Sequence, residues 1–134
     1  MAVKKFMYIN RKAPYGTVYA LESLEVVLIA AAFEQAVSVA FLDDGVYQLL
    51  QGQQPQAVGM KNFSATFRAL GDYDVRHIYV EQESLQARGL CAADLMPLTY
   101  EDEADDYQEK SSIHLVSRQA LTALIAEHDV VLSF

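Results

Sequence analysis

The stretch IYVEQESLQARGL, residues 78–90, contains the strand-to-helix step on which the fold prediction depends. Ile78–Val80 is apolar and rich in β-branched and aromatic side chains, which predicts a strand. Ser84–Arg88 predicts a short helix that ends at Gly89. The acidic turn Glu81–Glu83 joins the two. In open α/β sheets the reacting groups lie where a strand is followed by a helix, so this turn marks the place where chemistry is expected.

The same alternation of strand and helix patterns runs along the rest of the chain. Short apolar or β-rich runs predict strands at Lys5–Ile9, Val37–Leu42, Val75–Val80, Leu95–Tyr100, Ile113–Val116 and Val130–Phe134. Helical spacing predicts a helix at about Thr17–Ala36 and a single turn at Val46–Leu50. Capping residues predict two more helices: one begins at an Asn62 cap, runs to Leu70 and is ended by Gly71, and the other runs from a Ser117 cap to His128. This order predicts a parallel sheet with helices on both faces. No linker or repeat interrupts it, so residues 1–134 are expected to form one domain.

Composition excludes several functional classes. The chain has 134 residues, a formal net charge of −8 and one cysteine, Cys91. A lone cysteine excludes an internal disulfide and fits a reducing, cytoplasmic compartment. The acidic charge argues against direct nucleic-acid binding, because phosphates are bound by Lys and Arg. No stretch approaches the roughly 20 apolar residues of a membrane span, and the N-terminus has no pattern of a secretory signal.

The segment Glu101–Ser112 differs from the rest of the chain in composition. It carries six carboxylates against one lysine, Lys110. Because like charges at this density resist packing, we expect an exposed and mobile loop. A docking surface for a basic partner is the alternative.

Two strand ends and three histidines are candidates for binding sites. Asp43–Gly45 follows a buried strand and would suit Mg²⁺, but Asp and Gly equally favour a turn, which we prefer. Ala13–Thr17 follows the first strand and opens a helix, where an anion would be attracted, yet no P-loop or Gly-x-Gly-x-x-Gly pattern is present. His77, His114 and His128 lack the spacing of a zinc site. The sequence therefore predicts no metal and no cofactor.

Two further candidates lie in or beside the opening stretch. Arg88 is close in sequence to Cys91 and would activate it as a nucleophile, although a small buried packing residue is the interpretation we favour. Glu81 and Glu83 would serve as a general acid and base, although a solvated turn explains them equally simply and is preferred.

Five segments, in this order and spacing, resemble the DsrE/DsrF-like sulfur-relay family, and most of all its DsrF and TusC branch. They are Ala13–Thr17, Asp44–Leu50, Phe67–Asp74, Ser84–Leu90 and His128–Phe134. The resemblance spans nearly the whole chain apart from the acidic segment, which would be an insertion. It implies a three-layer α/β/α domain with a mostly parallel five-stranded sheet, similar to flavodoxin. It also implies a cytoplasmic heterohexamer, with two copies each of three related subunits, that passes persulfide sulfur to a sulfur-carrier acceptor protein.

The resemblance further implies a persulfide cysteine at the end of a strand, in a Val-Cys pair followed after six residues by Arg-Gly. The same register here reads Val80-Glu81, six residues, Arg88-Gly89, so that Glu81 occupies the place of the cysteine. A carboxylate cannot hold sulfane sulfur or attack a disulfide. Cys91 lies ten residues after Glu81 and is offset from that place. We therefore expect no catalytic residue in this chain and a structural role beside two sister subunits.

Several alternatives stay open at this point. The complex would serve either dissimilatory sulfur oxidation, which the acidic insertion favours, or tRNA 2-thiouridine synthesis of the TusC type. A protein of another class would be a stand-alone thiol enzyme that uses Cys91. A flavin-binding module of flavodoxin type is a third possibility.

Overall fold

The computed structural model describes residues 3–16, 19–33, 36–53 and 64–134. Within these residues the strands are β1 Lys5–Asn10, β2 Ala36–Phe41, β3 His77–Glu81, β4 Thr99–Asp102, β5 Gln108–Ser111, β6 Ile113–Val116 and β7 Val130–Ser133. The α-helices are α1 Tyr19–Ala32, α2 Gln82–Ala87 and α3 Arg118–Ala126. Within the same residues, 3₁₀ helices cover Asp43–Leu49, Ser64–Tyr73, Ala92–Asp94 and Glu103–Asp105.

Five strands form one parallel sheet in the order β6-β3-β2-β1-β7. The chain therefore adds strands on one side of β1 and then returns to place β7 on its other side. All carboxyl ends lie at the same edge of the sheet, because every pair is parallel. This confirms the predicted five-stranded parallel sheet and brings the ends of β2 and β3 together beside the start of α3.

Helices cover both faces of the sheet, as predicted, but unequally. The larger core joins α1, α2 and two 3₁₀ helices to side chains such as Tyr8, Phe41 and Ile78. The smaller core joins Leu121 of α3 to Met7 and Ala40. Successive strand residues point to opposite faces, so these two clusters are the two sides of a three-layer α/β/α fold.

The boundaries of α3 follow the sequence closely. The Ser117 side chain accepts a hydrogen bond from the Ala120 amide at 3.1 Å, as its capping position predicts. The predicted Asn62 cap lies outside the described residues. None of the described helices is long and apolar enough to cross a membrane.

The acidic segment is an ordered β-hairpin, which corrects two predictions. A fourth sheet strand was predicted at Leu95–Tyr100, but β4 starts at Thr99 and pairs antiparallel with β5 outside the main sheet. The expected loop is wrong for a related reason, although the segment is largely exposed as predicted. Asp102 binds Lys110 at 2.6 Å across the hairpin and lies 3.7 Å from Arg76, so cations compensate the charge of this carboxylate.

Gly71 does not end its helix, in contrast to the sequence prediction. The 3₁₀ helix continues through Gly71 to Tyr73. A Cβ atom on Gly71 would collide with the Thr99 carbonyl oxygen. The glycine is therefore required by the close approach of β4.

Candidate functional site

The carboxylate of Glu81 is the centre of the site at the carboxyl edge of the sheet. Glu81 is the last residue of β3 and only 4% exposed. Its Oε1 accepts a hydrogen bond from the Ser84 hydroxyl at 2.6 Å and from Arg118 Nη2 at 3.2 Å. The predicted solvated turn is therefore wrong for Glu81: a buried carboxylate needs donors, and a hydroxyl of α2 and a guanidinium of α3 supply them.

Ser84 connects this carboxylate to the end of the neighbouring strand. Its hydroxyl oxygen accepts a hydrogen bond from the Asp43 amide at 2.8 Å while its proton is donated to Glu81. Asp43 has a positive φ of 51° and starts the 3₁₀ helix after β2. Gly45 permits this turn, because a Cβ there would overlap the Asn10 carbonyl group at the end of β1. The ends of β1, β2 and β3 are thus fixed relative to one another.

Glu83 binds the amino end of α3. Both of its oxygens accept from the Arg118 amide, at 3.0 and 2.9 Å. This bond lowers the pKa of Glu83 below its ordinary value. The Glu81 carboxylate correspondingly raises the pKa of Arg118, chiefly through the hydrogen bond between the two side chains. Two carboxylates of one turn therefore hold the same arginine, one by its side chain and one by its backbone.

The aspartates after β2 are also paired with cations. Arg11 Nε lies 3.0 Å from Asp43, and Arg88 Nη2 lies 3.0 Å from Asp44. Arg88 additionally donates to the Ser84 carbonyl oxygen at 3.1 Å. The structure thus places Asp43 and Asp44 in the first turn of the 3₁₀ helix Asp43–Leu49, where arginines pair with them. Among the residues that the structure describes, no three His, Cys, Asp or Glu side chains are grouped to hold a metal ion.

Cys91 is exposed, which contradicts the predicted buried packing residue. It precedes the 3₁₀ helix Ala92–Asp94, and its amide and Sγ lie 2.9 and 3.5 Å from Asp94 Oδ2. It borders a shallow groove of about 300 Å³ with Leu85 and Leu115. Leu115 pairs with Val80, so it lies on the face of the sheet opposite to the Glu81 side chain.

Two of the three histidines meet at the other end of β3. The rings of His77 and His114 are 5.5 Å apart, and both lie near the ring of Tyr79. Partial burial lowers the pKa of His77, and the neighbouring His114 and Arg76 act in the same direction. These side chains lie at the amino end of the strands, away from Glu81.

The sequence of this chain matches a known protein family over almost its whole length. The model of the DsrE/DsrF-like family matches residues 4–134. The chain belongs to the DsrE/DsrF-like family. It is 55% identical over 132 residues to the intracellular sulfur oxidation protein DsrF of Allochromatium vinosum, covering 98% of this chain and 97% of that protein. It is also 40% identical over 94 residues to a TusC homologue of Vibrio vulnificus, covering 70% of this chain and 80% of the homologue.

A solved structure supports the fold independently. The YchN protein of Escherichia coli superimposes with a TM-score of 0.72 at 20% sequence identity, covering 99% of this chain and all of YchN. At that identity the likeness concerns the fold alone. The parallel sheet of this DsrE/DsrF-like chain is thus found in a protein of very different sequence.

The centre of the site in this DsrE/DsrF-like chain is a buried carboxylate. The Glu81 oxygen is engaged by a hydroxyl and a guanidinium, and the Ser84 proton points to that carboxylate. Sequence reasoning missed Ser84 and Arg118 as its partners. Arg118 follows directly after the predicted Ser117 cap, so the sequence predicts its place at the start of a helix. The sequence does not predict its contact with β3.

Proposed function

We propose that this chain is a non-catalytic subunit of a cytoplasmic sulfurtransferase complex that relays persulfide sulfur in dissimilatory sulfur oxidation. The complex is a heterohexamer with two copies each of three related subunits, and it delivers sulfur to a sulfur-carrier acceptor protein. Residues 1–134 act in it as one domain. The relative named for intracellular sulfur oxidation, which shares 55% of its residues over almost the entire chain, supports the pathway.

The observation that carries the non-catalytic role is the state of Glu81. The resemblance places a persulfide cysteine at this position, and here a buried carboxylate is held by Ser84 and Arg118. Sulfur relay needs a thiolate that accepts sulfane sulfur and is then attacked by another thiol. A carboxylate lacks this chemistry, so the reacting thiol belongs to a sister subunit.

A second candidate function is a TusC-type role in tRNA 2-thiouridine synthesis. The 40% identity to a TusC homologue favours it. The sulfur-oxidation relative matches 98% of this chain, whereas that homologue matches 70%. The greater coverage is the reason for preferring sulfur oxidation.

The test is to co-express this chain with the other DsrE/DsrF-like proteins of its organism and to weigh the purified product by size exclusion with light scattering. A complex containing equal amounts of three subunits is expected. An isolated chain that transfers persulfide by itself would contradict the proposal and favour the stand-alone enzyme that uses Cys91. Restoration of tRNA 2-thiouridine in a bacterial strain lacking its own TusC would favour the second function.

A further inference from the structure

The C-terminal half of helix α1 is apolar on its outward face as well as on its core face. The core face is formed by Ala20, Leu24, Val27 and Ala31, which are all buried. On the opposite side Val26, Ile29 and Phe33 are 36, 59 and 73% exposed. A surface helix normally carries polar residues there, and a helix that is apolar all round is normally buried.

The exposed residues follow the spacing of a helix–helix contact. Positions 26, 29 and 33 alternate steps of three and four residues, the a and d repeat with which one helix packs against another. Phe33 extends the stripe beyond the helix end, since its amide lies 3.2 Å from the carbonyl oxygens of Ile29 and Ala30. Two turns before the stripe, Lys12 Nζ is 5.9 Å from the centre of the Tyr19 ring, so Tyr19 is already in contact with a cation. We call Val26, Ile29 and Phe33 the α1 stripe.

The charges that α1 itself carries are all acidic. Glu22 and Glu25 are exposed on α1, and the helix contains no Lys or Arg. Pairing with a second copy would therefore place carboxylates against carboxylates in chains that each carry a net charge of −8. Charge complementarity instead requires a different chain with basic residues beside its apolar stripe.

The α1 stripe is too small to hold a partner alone. Fourteen residues of helix are about 21 Å long and about 10 Å wide, which gives roughly 200 Å² against the roughly 800 Å² per partner of a stable complex. A further exposed apolar side chain lies on the edge strand β7, on the same side of the sheet as α1. Leu132 is 42% exposed and pairs with Tyr8, which places it on the α1 side of the sheet. The occupant must therefore be a folded subunit that also covers this edge.

We infer that the α1 stripe is a subunit interface that packs against a helix of a different subunit. That partner helix carries an apolar stripe flanked by Lys or Arg. The inference rests on the proposed function, because the sister subunits are the source of that helix. To the proposed function it adds which surface of this chain makes the contact and which side chains the partner helix presents to it.

The first test is competition during assembly. An Ile29→Glu chain and the wild-type chain, carrying different tags, are co-expressed with the sister subunits, and mass spectrometry measures their ratio in the purified complex. Ile29→Glu is expected to be depleted at least tenfold. The matched control is Ala123→Glu on the exposed side of α3, which should be incorporated like wild type. Thermal unfolding of the isolated variants checks that both remain folded, and equal incorporation of Ile29→Glu would overturn the inference.

Charge reversal tests the basic partner separately. The double variant Glu22→Lys, Glu25→Lys should also be depleted, whereas Glu127→Lys at the exposed end of α3 should not. Incorporation of the double variant at the wild-type level would refute the Lys- or Arg-flanked helix.

A photo-crosslinking amino acid at position 29 identifies the occupant in the wild-type complex. Crosslinks to a helix of a sister subunit with Lys or Arg beside its apolar stripe are expected. Crosslinks to a second copy of this chain, or none, would overturn the inference and leave the proposed complex intact. Failure of the wild-type chain to join any complex would overturn the proposed function together with this inference.

Discussion

The carboxylate of Glu81 holds the carboxyl edge of the sheet together. Ser84 is in α2 and Arg118 starts α3, so one side chain ties two helices to β3. The sequence predicted that Glu81 follows the strand β3. It did not predict that the Glu81 side chain is buried, because Arg118 is 37 residues away and its approach depends on the placement of β6 and α3.

Replacing Glu81 with Ala should lower the free energy of unfolding by about 2 kcal/mol, because the Ser84 hydroxyl is left buried without its acceptor. Urea denaturation measures the change. The exposed neighbour Gln82 provides the control, and Gln82→Ala should cost less than about 0.5 kcal/mol. Equal effects of the two substitutions would show that the Glu81 contacts contribute little.

Gly45 should tolerate no side chain, because its turn touches the Asn10 carbonyl group. Gly45→Ala is expected to lower the free energy of unfolding by about 3 kcal/mol through overpacking. Gly52 has open space around it and a φ of 68°, so Gly52→Ala should cost about 1 kcal/mol from backbone strain alone. A milder effect at Gly45 than at Gly52 in thermal unfolding would contradict this packing.

Among the secondary-structure elements, the hairpin of β4 and β5 was the least predictable. The strand and helix alternation of the sheet is encoded locally, by apolar runs and caps such as Ser117, and could be predicted. The hairpin depends on specific ion pairs between residues of an acidic segment. The composition of the segment indicates that its carboxylates repel one another, but it does not show that Lys110 neutralises the charge of Asp102.

The hairpin should open in acid. Hydrogen bonding from Lys110 lowers the pKa of Asp102 below the ordinary value of 3.8. A lowered carboxylate pKa stabilises the fold above the unfolded-state value, and this stability is lost as pH falls through the folded-state value. Amide exchange of residues 99–111 should therefore accelerate below about pH 4 more than that of the main sheet.

Asp102→Asn should have the same effect at neutral pH, and its difference from wild type should shrink as the pH falls. Asp106→Asn, which alters an exposed carboxylate of the same hairpin, is the control and should leave exchange unchanged. Wild-type protection of the hairpin in Asp102→Asn would show that the ion pairs do not hold it.

At the scale of the whole molecule, the fold is shared with a protein of very different sequence. YchN has this fold at 20% sequence identity to this chain, and the DsrF relative is 55% identical to it. On this scaffold the carboxyl edge of the sheet carries an ion-paired carboxylate, and the exposed thiol of Cys91 lies beside a separate groove. Under the proposed function, this chain serves assembly, and a thiol of a sister subunit carries the sulfur.

The most direct test loads the assembled complex with a sulfane-sulfur donor and weighs each intact subunit by mass spectrometry during turnover. The account predicts one added sulfur atom on a sister subunit and none on this chain. It also predicts an unchanged rate of sulfur delivery when Cys91 is replaced by Ser. Sulfur bound to Cys91 and passed on to the acceptor, with delivery lost in Cys91→Ser, would contradict the account.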